Sequence, residues 1–213
     1  MPKQSVSDFF DSYSRHFNAI YGNENTLSNR VINGLFRKSM RLRYVKSLEG
    51  CEPIAGKTVL DVGCGPGHYS IALALRGASS LLGIDFANGM IELAKQNAAR
   101  AGVKDRCEFV TADFMTYPIP EPFDYSIVMG FMDYASEPRK VIQRVLSLTR
   151  AKAFFSFPVD GGILGWQRKL RYKDRCNLFM YRREHIRKLF QDAHLGEFEV
   201  ERISRDFFVT ASR

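Results

Sequence analysis

An apolar run that ends in three closely spaced glycines constrains this chain more than any other feature. The run closes with Asp61-Val, and Gly63, Gly65 and Gly67 follow at alternate positions. Glycine has no Cβ, so the backbone there can take positive φ and let a ligand approach main-chain atoms. A dinucleotide-binding loop reads G-x-G-x-x-G, whereas His68 stands where its third glycine would be. The spacing disfavours a dinucleotide, and the Asp61 carboxylate suits a ligand that carries an ammonium group.

Two further apolar runs also end in an acid. Residues Ser80–Asp85 precede a predicted helix from Asn88 to about Ala101, and Cys107–Asp113 is followed at once by Phe114. Taken singly, such residues are more often turn, helix-cap or core positions. In open α/β sheets, however, ligands bind outside the carboxyl ends of the strands. The joint order of the three acids therefore predicts a ligand site.

These segments together resemble the class I S-adenosylmethionine-dependent methyltransferases. The stretch Asp61-Val-Gly63-Cys-Gly65-Pro-Gly67 is similar to the first motif of that family. The resemblance implies S-adenosylmethionine as cofactor, with Asp85 on the ribose hydroxyls and with Asp113 and Phe114 at the adenine. The cofactor-binding residues that we predict on this basis are Asp61, Gly63, Cys64, Gly65, Gly67, Asp85, Phe86, Met90, Asp113, Phe114 and Met129.

The order of elements predicts an α/β fold. The chain is helix-rich to about residue 50 and then alternates strand and helix to about residue 157, which favours a parallel sheet with helices on both faces. The predicted strands cover residues 57–62, 80–85, 107–112, 123–130, 151–157, 197–204 and 206–212. The predicted helices cover residues 67–77, 88–101, 137–148 and 182–193. The family resemblance implies a Rossmann-like, mostly parallel sheet of seven strands with the last strand antiparallel.

We predict two parts: a helical N-terminal cap over residues 1–50, and a methyltransferase domain over residues 51–213 with a basic insertion at 158–181. The length of 213 residues and the 45% hydrophobic content suit one domain with a full core. No apolar run approaches the ~18–20 residues of a membrane span. The first residues, Met1-Pro-Lys-Gln-Ser, lack an apolar signal core, so we expect a cytoplasmic protein. The cysteine and histidine spacings fit no metal site, and none is expected.

The acceptor is expected between the two segments outside the cofactor core, residues 1–50 and 158–181. An alcohol or acid acceptor must lose its proton before it is methylated, so the candidates are side chains that can take a proton. The candidate catalytic residues are His16, Tyr21, Asp133 and Tyr134. Each also has a simpler interpretation, because His16 suits a helix surface, Tyr21 suits core packing, and Asp133 or Tyr134 can cap a following helix.

Parts of both segments are similar to magnesium-protoporphyrin O-methyltransferases and their bacterial relatives. The similar stretches are Phe17–Gly22 with Asn29-Arg, and Ser156-Phe-Pro with Tyr181–Phe190. After the fourth strand those enzymes carry an Ile-His-Tyr-type sequence, where this chain has Phe131-Met-Asp133-Tyr134. The histidine that is catalytic in that family is missing here, so we expect a shared architecture with another acceptor.

The formal net charge of +8 is concentrated in two blocks of basic residues. One block contains Arg37, Lys38, Arg41, Arg43 and Lys46, and the other contains Arg168, Lys169, Arg171, Lys173 and Arg175. Such a field favours an anionic partner. We therefore rank a small anionic acceptor first, with O-methylation favoured. Nucleic acid ranks second, because Trp166, Tyr172 and Phe179 interleave with the cations. A cofactor-binding scaffold that partners another enzyme ranks third.

Overall fold

A computed structural model describes residues 27–161, 178–193 and 196–212 of the chain, which contain one sheet of seven strands. Its strands are β1 (Thr58–Val62), β2 (Ser80–Asp85), β3 (Cys107–Thr111), β4 (Phe123–Val128), β5 (Thr149–Pro158), β6 (Phe198–Ile203) and β7 (Asp206–Ser212). They form one sheet in the order β3-β2-β1-β4-β5-β7-β6. Strands β1 to β5 pair in parallel, and β7 runs antiparallel to both β5 and β6. The predicted seven-stranded sheet with an antiparallel last strand is confirmed.

Helices cover both faces of this sheet, as predicted. The described helices are α1 (Leu27–Gly50), α2 (His68–Leu75), α3 (Asn88–Arg100), α4 (Pro138–Ser147) and α5 (Arg183–Gln191), with one 3-10 turn at Lys104–Arg106. One core cluster packs α4 and α5 against the sheet, and a second cluster packs α1, α2 and α3 against the opposite face. The sheet is therefore buried on both sides, which explains why its strands read as continuous apolar runs.

The buried positions follow the periods that each element requires. In α4 the buried residues are Val141, Ile142, Val145 and Leu146, which fall on one helical face. In β5 the side chains of Phe155 and Phe157 belong to the α4–α5 side, whereas Phe154 belongs to the α1–α3 side. A single run of phenylalanines thus supplies both cores.

Glycines explain why two elements begin or end at a residue other than the one predicted from the sequence. Gly67 has φ of 80° and precedes the first helical residue, so α2 begins at His68 rather than at residue 67. The fourth strand was predicted to run to residue 130, but β4 ends at Val128 and Gly130 has φ of 77°. Both turns lie at the carboxyl edge of the parallel strands, where the predicted ligand site falls.

Helix α1 lies across the face of the sheet that also carries α2 and α3. Its last residue, Gly50, approaches the ring of Phe154 so closely that a Cβ there would lie 2.5 Å from Phe154 Cε1. Leu48 is buried in the same core cluster. The predicted helical cap is described from residue 27 onward, and its division from the remaining chain at residue 50 stays a prediction. Within the described ranges, no helix has the length and apolarity that crossing a bilayer requires.

Candidate functional site

The loop between β1 and α2 has left-handed backbone at all three motif glycines. Gly63, Gly65 and Gly67 have φ of 69°, 51° and 80°, values that L side chains rarely adopt. A Cβ at Gly63 would lie 2.9 Å from Phe131 Cδ2, and one at Gly67 would lie 2.9 Å from Phe109 Cζ. At Gly65 a Cβ would meet nothing within 4 Å. Gly63 and Gly67 therefore permit close packing, whereas Gly65 faces space that a ligand can occupy.

Asp85 joins the end of β2 to this loop. Its Oδ2 accepts a hydrogen bond from the Gly65 backbone N–H at 2.9 Å, and its Oδ1 accepts one from the Ala87 N–H at 2.9 Å. Each carboxylate oxygen has a second lone pair, so the group can also accept hydrogen bonds from ligand hydroxyls. The two backbone contacts fix the carboxylate at the carboxyl edge of the sheet.

Asp61, the acid of the first motif, is almost completely buried, with 1% of its surface exposed. Its Oδ2 accepts a hydrogen bond from Ser70 Oγ at 2.7 Å. Burial raises the pKa of Asp61 to about 7, the hydrogen bonds from Ser70 oppose this shift, and the charge of Asp85 adds to it. The carboxyl group therefore titrates near neutral pH, and a neighbouring cation would favour its charged form.

The acid and the aromatic ring beyond β3 have opposite environments. Asp113 is exposed, and its Oδ1 accepts a hydrogen bond from the Met115 N–H at 2.8 Å. Phe114 is 2% exposed and packs edge-on against Phe131, with Arg144 above its ring at 5.2 Å from the centroid. Its ring thus offers little surface to a ligand in this state, because core residues surround it.

The other predicted cofactor residues line the same edge with different exposure. Cys64 and Met90 are buried, whereas Phe86 and Met129 are half-buried. Burial raises the pKa of the Cys64 thiol well above its usual value, and its Sγ donates to the Gly65 carbonyl at 3.7 Å. Cys64 is therefore a neutral packing group in the glycine loop.

On the acceptor side, the loop after β4 is connected to the far end of the predicted insertion. The Asp133 carbonyl accepts a hydrogen bond from the Phe179 N–H at 2.8 Å, and Tyr181 Oη donates to the Met132 carbonyl at 3.1 Å. Asp133 is 3% exposed, and Tyr134 is half-buried. His16 and Tyr21, the other two candidate catalytic residues, lie outside the described residues.

The two ends of the predicted insertion are held side by side. Val159 and Tyr181 form a parallel bridge. The Tyr181 N–H donates to the Pro158 carbonyl at 2.9 Å, and the Asp160 N–H donates to the Tyr181 carbonyl at 2.7 Å. The residues between them, 162–177, which include the second basic block, lie outside the described ranges.

The first basic block is partly neutralised by ion pairs. Arg43 Nε lies 3.6 Å from Asp206 Oδ2, with both side chains nearly buried, and Lys46 Nζ lies 2.7 Å from Glu201 Oε2. From the sequence, both cations were expected to contribute to the positive field that favours an anionic acceptor. Their pairing within the fold reduces that field, while Lys38 and Arg41 remain exposed. Nothing in the local sequence indicated that Arg43 faces inward, because its acid lies in the last strand.

The chain was then compared with known proteins. Residues 54–158 match the sequence model of the family described as a methyltransferase domain. Together with the sheet order and the glycine loop, this match identifies the region as a class I S-adenosylmethionine-dependent methyltransferase domain. S-adenosylmethionine is the cofactor of that class. Among the described residues, no group of three His, Cys, Asp or Glu side chains could hold a metal ion.

Curated relatives are about one third identical to this chain over the aligned residues, which are about half of each protein. The ubiquinone biosynthesis O-methyltransferase of Pseudomonas putida (strain F1) is 34% identical over 105 residues, which are 48% of this chain and 45% of the relative. The enzyme of the same name in Pseudomonas savastanoi pv. phaseolicola is 34% identical over 119 residues, 55% of this chain and 50% of the relative. The chain therefore spans about half the length of the curated relatives it matches.

Solved structures extend the likeness to nearly the whole chain, but at the level of the fold alone. Magnesium protoporphyrin IX methyltransferase from Synechocystis PCC 6803 with bound SAH has a TM-score of 0.78 and 21% identity, covering 98% of each chain. The cyclase SpnF has a TM-score of 0.65 and 20% identity, covering 94% of this chain and 73% of that protein. Because a cyclase shares the fold, the reaction must be argued from the site.

Proposed function

We propose that this chain is an active S-adenosylmethionine-dependent methyltransferase that methylates an oxygen atom of a small, anionic molecule. The observation that supports it most is the arrangement of Asp61, Asp85 and Asp113. These acids stand at or just beyond the carboxyl ends of β1, β2 and β3, which are neighbours in the sheet. Gly65, which faces open space, donates its backbone N–H to the second of these acids.

The residues at this edge fit the chemical groups of the cofactor. Asp85 has lone pairs for the two ribose hydroxyls, and Asp113 is exposed for the adenine amino group. Asp61 would stabilise the ammonium group of the methionine part, and that cation would in turn favour the charged form of this buried carboxyl. Gly63 and Gly67 keep the loop in the backbone conformation that brings Gly65 to the cofactor.

When bound, S-adenosylmethionine supplies a methyl group that its sulfonium already activates. The protein then has to orient the acceptor oxygen, exclude water and remove a proton where the acceptor is not yet ionised. Asp133 and Tyr134 follow β4 at the same edge and are our candidates for the last task. Tyr181 is unsuited to it, because burial and the Asp133 charge raise the pKa of Tyr181 and keep its hydroxyl neutral.

The curated relatives support a small acceptor methylated on oxygen, because they are named as O-methyltransferases of ubiquinone biosynthesis. The anionic character is supported by the net charge of +8 and by exposed Lys38 and Arg41. The ion pairs of Arg43 and Lys46 leave this part of the proposal resting on fewer cations.

The test is a binding measurement followed by an acceptor search. Calorimetry with S-adenosylmethionine and S-adenosylhomocysteine should show one site per chain. Cell extracts are then incubated with the protein and a deuterated-methyl cofactor, and small molecules and RNA are analysed separately by mass spectrometry. A label on the oxygen of a small acid is the expected result. A label in RNA would contradict the small acceptor, and binding without any labelled product would contradict enzymatic activity.

A further inference from the structure

A buried serine in β5 connects two parts of the molecule that are distant in sequence. Ser156 is 0% exposed, and its Oγ accepts hydrogen bonds from the Gly130 backbone N–H at 2.8 Å and from Arg43 Nη1 at 3.1 Å. Gly130 belongs to the turn after β4, and Arg43 belongs to α1. One hydroxyl therefore holds the N-terminal helix and the acceptor-side turn together at the carboxyl edge of the sheet.

Arg43 is itself fixed from the other side. Its Nε lies 3.6 Å from Asp206 Oδ2, and Ser39 Oγ, one helical turn earlier, donates to the same oxygen at 2.5 Å. Asp206 begins β7 and pairs with Pro158 at the end of β5. Because the carboxylate holds two residues of one α1 face, the guanidinium has little freedom to leave Ser156.

The connection continues from Gly130 into the glycine loop. Gly130 has φ of 77°, and the next residue, Phe131, lies so close to Gly63 that a Cβ there would be 2.9 Å from the Phe131 ring. The same ring meets Phe114 edge-on, with centroids 6.3 Å apart. A shift of the Gly130 turn would therefore move the side chain that packs against the first motif.

We propose that Ser156 and Arg43 are positioning residues for the cofactor site, acting through the Gly130–Phe131 turn. The inference rests on the proposed function, because it concerns the affinity for the same cofactor. Removing the Ser156 hydroxyl leaves the N–H of the half-buried Gly130 without its acceptor in the protein. The turn relieves this most simply by moving, and Phe131 then no longer supports Gly63.

The test compares Ser156→Ala with Ser126→Ala. Ser126 is also 0% exposed, and its Oγ shares a 2.7 Å hydrogen bond with Thr149. It lies in the middle of β4, however, and this hydrogen bond involves neither the Gly130 turn nor Arg43. Thermal unfolding measures the stability of both variants. Affinity for S-adenosylhomocysteine is then measured by calorimetry at a temperature well below both unfolding midpoints. Ser156→Ala should weaken binding about fivefold or more, whereas Ser126→Ala should stay within about twofold at a similar loss of stability.

Variants of Arg43 test the same path from α1. Arg43→Met removes both contacts and should weaken binding as Ser156→Ala does. Arg43→Lys keeps the charge near Asp206 but lacks the fork that also reaches Ser156, so its affinity should fall between wild type and Arg43→Met. If Ser156→Ala does not fold, Ser156→Cys, with a weakly accepting thiol, takes its place.

The outcomes separate this inference from the proposed function. Wild-type affinity in Ser156→Ala, or equal weakening by Ser156→Ala and Ser126→Ala, would show that Ser156 serves only the general stability of the fold. Failure of the wild-type chain to bind S-adenosylhomocysteine would instead contradict the proposed function itself.

Discussion

The Asp85 carboxylate is the side chain whose removal should affect the cofactor site most directly. In Asp85→Ala, the Gly65 and Ala87 N–H groups lose their acceptor. Under the proposed function, the ribose hydroxyls of the cofactor lose theirs as well. Charge-assisted hydrogen bonds contribute about 1.5–3 kcal/mol each, so we expect affinity for S-adenosylhomocysteine to fall at least about tenfold in calorimetry. Asp124→Ala is the control, since Asp124 accepts from the Thr58 N–H at 2.9 Å at the opposite edge. Equal affinity in wild type and Asp85→Ala would refute the assignment.

Asp61 makes stability depend on pH in a direction opposite to that of a salt-bridged carboxylate. Its pKa is about 7 in the fold, against about 3.9 for an unfolded chain, so its favourable contribution is lost as pH rises from about 4 to 7. Asp61→Asn cannot ionise. The free energy of unfolding of this variant relative to wild type should therefore increase by about 3 kcal/mol between about pH 5 and about pH 8. Urea unfolding at both pH values measures this, and a constant difference would contradict the shifted pKa.

Asp133 and Tyr134 are expected to affect turnover rather than cofactor affinity. Asp133→Asn and Tyr134→Phe remove an ionisable group with little change of shape, so whichever residue takes the acceptor proton should lower kcat about 100-fold or more when replaced. Calorimetry with S-adenosylhomocysteine should show unchanged affinity. Tyr44→Phe is a matched control, because Tyr44 packs against Tyr69 on the α1–α3 face. If both variants keep the wild-type kcat, the base lies elsewhere.

For single residues, the sequence predicted the positions of the strand-end acids better than it predicted side-chain contacts. Asp61 and Asp85 could be placed because each closes an apolar strand. Phe114 was expected over the adenine but is packed in the core. The sequence does not distinguish these two roles, because an aromatic residue after a strand suits either. The Arg43–Ser156 hydrogen bond could not be predicted, because its partners are 113 positions apart and only the sheet order brings them together.

The glycine loop is the element whose geometry can be tested apart from its folding. Gly65→Val should abolish binding of S-adenosylhomocysteine in calorimetry while the protein remains folded, because the side chain would occupy the open space before the loop. Gly56→Val is a close control, since Gly56 also has positive φ, 74°, and nothing within 4 Å of a Cβ. Both changes carry a backbone strain of about 1–2 kcal/mol. Tight binding by folded Gly65→Val would mean that the loop does not touch the cofactor.

Elements were predictable in type and order because apolar periodicity determines which faces are buried. Their ends were less predictable. The fifth strand was predicted from residue 151, but β5 starts at Thr149, whose hydroxyl is buried and bonded to Ser126 and to the Val145 carbonyl. The partners of Thr149 lie on β4 and α4, so the hydrogen bonds that fix the start of β5 are visible only in the folded structure.

For the whole molecule, Cys51 reports on opening of the core. It directly follows α1 and is fully buried in the core cluster of that face, and burial raises the pKa of its thiol to about 12. Iodoacetamide at about pH 8 should therefore label Cys51 only through global unfolding, and S-adenosylhomocysteine should slow labelling by the factor 1 + [ligand]/Kd. Peptide mass spectrometry over time measures both rates. Prompt labelling of the native protein would show that this core opens locally.

The family and the sheet topology could be anticipated from three motifs, because alternation of strand and helix leaves few possible arrangements. The way in which α1 packs against the sheet could not be anticipated. Its cations were interpreted as a field for an anionic partner, whereas the ion pair with Asp206 at the start of β7 shows that Arg43 is an internal anchor.

The bridge between Val159 and Tyr181 has an evolutionary consequence. Because the two ends of the predicted insertion are held to each other and to the sheet, the segment between them can be exchanged while both anchors are kept. Acceptor preference could then diversify while the cofactor half is inherited unchanged. A chimera that carries a relative's segment between these anchors should keep the parental affinity for S-adenosylhomocysteine, and a lost affinity would show that the two halves evolve together.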